Sequence, residues 1–227
     1  MAPELYLLLI GLPLVLGFWA QSRISSAYRT WSGVGTLSGL SGADTARRIL
    51  ADAGIGNVEV LEINGMLGDH YDPSARRLCL STDVFHGNSV ASVGIAAHEC
   101  GHALQHREGY APLEWRMAIV PATQFASRIL PFVILGGFFF HITGLITLGI
   151  ICYTVLTVFQ LVTLPVEFDA SKRAKVILQR AGIVRSGEES SGVDAVLDAA
   201  ALTYVAAFVA SLGNLVYLFV ARNHEER

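Results

Sequence analysis

His98-Glu99-Cys100-Gly101-His102 is the stretch of this 227-residue chain whose residue types and spacing could do chemistry. Two histidines four positions apart lie on one face of a helix, about one turn from each other, so both imidazoles can reach a single zinc ion. Glu99 beside them supplies a carboxylate able to take the proton of an attacking water, the arrangement of zinc-dependent peptide hydrolysis. The helix that must carry them is legible upstream. Asn88-Ser89 is a start signal, and Val90, Val93, Ala97, Cys100 and Leu104 then recur at steps of three and four. Burying two imidazoles and a carboxylate on the inner part of such a helix is costly without partners, and a metal satisfies all three.

Composition places the site in a membrane protein. Hydrophobic residues make up 52% of the chain and charged residues 15%, with a mean hydropathy of +0.49. From Ile129 to Val166 no Asp, Glu, Lys or Arg occurs. That run, as one helix, would be about 57 Å long, nearly twice the hydrocarbon thickness. It is therefore expected to fold as a hairpin over 118–165, turning near His141-Ile142-Thr143-Gly144. This leaves Arg128 inside the first pass, in need of a polar partner or a wet cavity. Residues 5–20 are expected as a retained anchor, since no Lys or Arg precedes them and no small-residue cleavage pattern follows. Residues 201–221 form a further crossing. The expected fold is thus mainly α, with about four transmembrane helices and a small cytoplasmic α+β, zincin-like catalytic unit.

Charge orients it. Residues 21–116 and 166–200 hold eight and five of the sixteen basic residues, which puts both segments, and the site, on the cytoplasmic side with both chain ends outside. The net charge of −3 gives no reason to expect nucleic acid as a partner. Cys79, Cys100 and Cys152 have no paired spacing, which fits a reducing location without disulfides. Cys100 is expected to pack, pointing away from the face shared by the histidines.

A catalytic zinc ordinarily has three protein ligands and an open fourth place. His106 lies about 12 Å from His98 along a continuous helix, too far to share the ion, and Ala103-Leu104-Gln105 contains no breaker. Glu167 is the stronger candidate. It follows Pro165 at the foot of the second pass and emerges at the same membrane face as the end of the histidine helix; without a metal it would be a solvated interface residue. Asp169 is placed to orient a histidine from behind.

Before the zinc helix a small α+β unit is expected. A helix starts at Ser41-Gly42-Ala43-Asp44 and is ended by Gly54, and β segments follow at Val58–Ile63 and Arg77–Ser81. Asp69 to Ser74 reads as a turn, and its Asp69, His70 and Asp72 as a solvated cluster or a second metal site. Leu78–Ser81 is the candidate edge for pairing an extended substrate. The basic pair Arg76 and Arg77 is either a solvated strand entrance or a substrate contact.

The stretch His98 to His106, with Leu164 to Ser171 and Asp198 to Ala207, resembles the YugP-type membrane zinc metallopeptidases over almost the whole chain. More distantly it is similar to HtpX-like and CAAX-prenyl-protease-like gluzincins. The resemblance implies a neutral zinc peptidase with one Zn2+ per chain, a third ligand on a later helix, hence Glu167, and residence in a bacterial cell membrane. The distant group often has an aspartate four residues after that glutamate, where this chain has Ser171. The expected substrates are peptides or membrane proteins. Tyr204, His70 and Arg173 are the candidates to stabilise the oxyanion. A zinc-locked scaffold without activity and a zinc transporter are the competing readings. The first has no use for Glu99, and the second would want ionisable groups at mid-membrane depth, where only His141 qualifies.

Overall fold

The computed structural model describes residues 3–65, 68–140 and 143–225. The chain is mostly helical and divides into two units.

The first unit comprises the described residues of 1–21, 114–165 and 202–227. Its helices are the membrane candidates. α1 (Pro3–Tyr6) passes through a π-helical turn (Leu7–Gly11) into α2 (Leu12–Ser32), and α6 (Ala111–Phe140), α7 (Thr143–Arg180) and α8 (Glu188–Glu225) follow the second unit's elements in sequence. Four helical stretches, Glu4–Ser32, Ala111–Gly137, Gly144–Arg180 and Glu188–Asn223, are long and apolar enough to cross a membrane. All four exceed the spans expected from sequence, because the helices run on into charged flanks such as Lys172 to Arg180. Of the expected hairpin turn, His141 and Ile142 lie outside the described residues.

Small residues let these helices approach closely. A Cβ on Gly213 of α8 would come 2.2 Å from the Leu9 carbonyl oxygen, and one on Gly136 of α6 would come 2.8 Å from Leu145 of α7. Phe18, Phe125, Phe132 and Phe139 are exposed. That is a liability in water and the ordinary surface of a helix in lipid. Arg128 is exposed, and no hydrogen bond or ion pair holds it among the described residues, so the expected polar partner is not found there.

The second unit, residues 22–113 and 166–201, carries the candidate site. α3 (Gly42–Asp52) is capped by Ser41, whose hydroxyl accepts the Asp44 N–H, and Gly54 leaves it in the left-handed conformation at φ +67°. A three-stranded sheet follows, β1 (Glu59–Ile63), β2 (His70–Asp72) and β3 (Arg77–Ser81), and then a short α4 (Thr82–His86) that the sequence did not announce. β2 arises inside the segment expected to be only a turn, pairing antiparallel with β3.

The sheet order is β1-β3-β2, with β1 parallel to β3. This corrects one expectation. β3 is the central strand: Leu78 and Cys79 pair with both β1 and β2, and Leu80 and Ser81 pair with β1, so the segment is not an edge strand; the edges are β1 and β2. α5 (Val90–Arg107) is capped by Ser89, and its Val90, Val93, Ala97, Cys100 and Leu104 are all buried, as the spacing requires. They join Ile49, Leu78, Leu80, Val84, Leu178 and Val193 in one apolar core.

Candidate active site

α5 is unbroken from Val90 to Arg107, so His98 and His102 sit one turn apart on a single rigid element, with their rings 4.8 Å apart edge to face. α7 continues through Pro165 as helix and brings Glu167 to them. The Glu167 carboxylate, 2% exposed, places Oε2 3.2 Å from His98 Nε2 and 3.6 Å from His102 Nε2.

The close approach of the two helices depends on Gly101. A Cβ there would meet the Ala170 backbone, with the carbonyl oxygen at 2.7 Å. One glycine between the histidines therefore lets the α7 backbone come in where a side chain would hold it off.

The ligand atoms of His98, His102 and Glu167 all lie within 4.8 Å of one another, the one such group of three His, Cys, Asp or Glu residues found among the described residues. Two neutral imidazole nitrogens and one carboxylate oxygen are a donor set suited to a catalytic zinc, so the residues present fit the ion. Glu99 is buried on the same helix, and its negative charge is one of the influences that raise the His102 pKa. Burial is the largest single influence and works against the charged imidazole, but the contact with Glu167, the negative charges of Glu99 and Glu167 and the Gln105 hydrogen bond together outweigh it, and His102 is held above its ordinary value.

Behind the ligands the two Nδ1 atoms are also engaged. His102 Nδ1 is 3.0 Å from Gln105 Oε1, and His98 Nδ1 is 3.1 Å from Ser171 Oγ. Gln105, fully buried, donates from Nε2 to the Val166 carbonyl and to Asp169 Oδ2, each at 2.8 Å. Flipping the amide would set its oxygen against two acceptors, so its orientation is dictated. Oε1 must therefore face His102, which donates from Nδ1 and keeps Nε2 toward Glu167. Ser171 can donate or accept and imposes no such choice on His98.

Asp169 thus acts on a histidine only through Gln105, a residue the sequence reading passed over although it is polar, buried and three positions from His102. Asp169 is fixed in turn by Arg173, whose Nε lies 2.5 Å from the same Oδ2 and whose Nη1 lies 2.7 Å from Glu108 Oε2.

The remaining candidates resolve plainly. Cys100 is fully buried, its Sγ is 3.7 Å from the Ala46 carbonyl of α3, and burial pushes its thiol far up. All three cysteines are free. His106 is outside the cluster, with Nδ1 2.8 Å from the Tyr71 hydroxyl. Asp69 accepts from the Ser81 backbone and hydroxyl, and Asp72 from the N–H groups of Ser74 and Ala75. Asp72 therefore forms the turn and Asp69 ties it to the end of β3, and with His70 they make no second metal cluster among the described residues. Of the oxyanion candidates, Arg173 is committed to two carboxylates, His70 is exposed with its ring against the Gly68 carbonyl, and Tyr204 belongs to the first unit.

Comparison with known proteins agrees with this chemistry. Residues 6–223 match the family described as "Putative neutral zinc metallopeptidase". The chain is 47% identical over 212 residues to a protein of Bacillus subtilis (strain 168) named "Putative membrane protease YugP", covering 93% of this chain and 94% of that one. No solved structure matches. On a match spanning nearly its whole length and an identity of that size, the chain belongs to this zinc metallopeptidase family.

Proposed function

We propose that the protein is a membrane-embedded, zinc-dependent endopeptidase in which His98, His102 and Glu167 hold one zinc ion per chain and Glu99 is the general base. The observation that carries the proposal is the convergence of those three ligand atoms within 4.8 Å, with a buried carboxylate on the same helix, in a chain of this family. A zinc ion bound there supplies a Lewis acid that polarises the scissile carbonyl and acidifies the attacking water. Glu99 accepts that water's proton and returns it to the leaving amine. Gln105 keeps the His102 imidazole turned with Nε2 toward Glu167, and Ser171 Oγ meets His98 Nδ1.

The chain is an integral protein of a bacterial cell membrane, with residues 21–116 and 166–200, and therefore the site, on the cytoplasmic face. The concentration of thirteen of sixteen basic residues in those segments supports that orientation. Its substrates are peptides or the juxtamembrane segments of membrane proteins.

Zinc content and peptide cleavage, measured side by side in detergent for the parent and for Glu99→Gln, test the proposal. The variant should keep its zinc and lose roughly 10²- to 10⁴-fold in rate. Retained proteolysis removes Glu99 from the mechanism, and a zinc-loaded parent that cleaves no peptide leaves a zinc-locked scaffold.

A further inference from the structure

Beside the last two turns of α5 opens a cavity of about 520 Å³. Its walls come from the loop after α3 (Gly54, Asn57), from Tyr71 of β2, from Arg76 of the β2–β3 turn, and from His106 and Arg107 of α5. Among the described residues three basic side chains line it and no aspartate or glutamate does. Such a pocket attracts an anion and rejects a cation.

The walls are built rather than accidental. The Tyr71 hydroxyl bonds His106 Nδ1 at 2.8 Å, tying the edge strand to α5. Arg107 donates from Nη1 to the Ala53 carbonyl, which fixes its guanidinium and leaves its other N–H groups. Among the described residues Arg76 is the one non-glycine in the left-handed region, at φ +52°, and its carbonyl accepts the Glu59 N–H at 3.1 Å. Glycine or asparagine suits that conformation better, so the turn keeps an arginine against the local backbone preference. The cavity shares α5 with the site: its His106 is one helical turn, about 6 Å of axial rise, beyond His102.

We propose that this cavity is a subsite for a carboxylate of the peptide substrate and that Arg76 sets the preference. This deepens the peptidase reading and rests on it. The carboxylate is either an acidic side chain or the substrate's own C-terminus.

The test uses the full chain in detergent and one peptide sequence carrying Glu or Gln at successive positions, with its C-terminus free or amidated. Binding is read by fluorescence anisotropy on zinc-loaded Glu99→Gln, and hydrolysis is followed with the parent. At one position, or with a free terminus, the carboxylate form should bind roughly tenfold tighter than its neutral counterpart. A preference that survives amidation identifies the side chain, and one that needs the free end identifies the terminus. Arg76→Gly, which relieves the left-handed strain and so should fold, should bring the ratio to within about twofold. Arg76→Glu should shift the preference to Lys-bearing peptides. Equal binding of carboxylate and neutral peptides overturns the subsite, and a preference that persists in Arg76→Gly overturns the assignment of that preference to Arg76. A preference that holds while no peptide is cleaved by the parent overturns the peptidase reading and leaves the subsite standing.

Discussion

Gln105 stands between His102 and Asp169, accepting from one at 3.0 Å and donating to the other at 2.8 Å, and its amide can point only one way. The consequence is a fixed His102 with Nε2 turned toward Glu167. Gln105→Met keeps the volume and removes the acceptor, and zinc affinity should fall roughly 10- to 100-fold in a competitive chelator titration. Asp169→Asn still offers a carbonyl oxygen to Gln105 and should lose much less. Equal zinc affinity in Gln105→Met and the parent would show that the ring is oriented by its other neighbours.

Gly101 governs how near α7 comes to α5. An alanine there gains helix propensity of up to about 1 kcal/mol but places its Cβ 2.7 Å from the Ala170 carbonyl oxygen, where only backbone could yield. The clash should win, destabilising the protein by roughly 1–3 kcal/mol and weakening zinc binding, because Glu167 lies on the displaced helix. Thermal melting and a zinc titration of Gly101→Ala check this; a more stable variant with full zinc affinity would contradict the packing.

His102 gives opposite pH dependences with and without metal. In the zinc-free protein its pKa is raised above the ordinary histidine value of about 6.5, so its contribution to stability is complete below about that pH and is lost as pH rises through the folded-state value. With zinc, the imidazole must be deprotonated, and metal-linked stability grows over the same range. Melting temperatures between about pH 6 and pH 8 should therefore fall in chelator and rise in zinc. Parallel slopes would mean that His102 is not where proton and metal compete.

The paired histidines and Glu99 were legible because i, i+4 spacing is a local property of one helix, and the apolar stripe of Val90, Val93, Ala97, Cys100 and Leu104 announced that helix. Long uncharged runs likewise announced the apolar helices. What failed was non-local. Asp69, Asp72 and Pro73 are turn residues, yet His70–Asp72 becomes strand because β3 pairs with it. Leu78–Ser81 looked like an edge because nothing in its own sequence records that β1 pairs in parallel on its other side. Gln105 carried a faint signal, a buried amide one turn from a histidine, but its partners Val166 and Asp169 lie more than sixty residues away.

Zinc bound per chain in the parent, Glu167→Ala and Glu167→Gln, with folding followed by circular dichroism, bears most directly on whether a helix holding two histidines and a carboxylate from α7 grip one ion. One zinc in the parent and almost none in either folded variant is the expected result. A folded Glu167→Ala that still holds a full equivalent would contradict it.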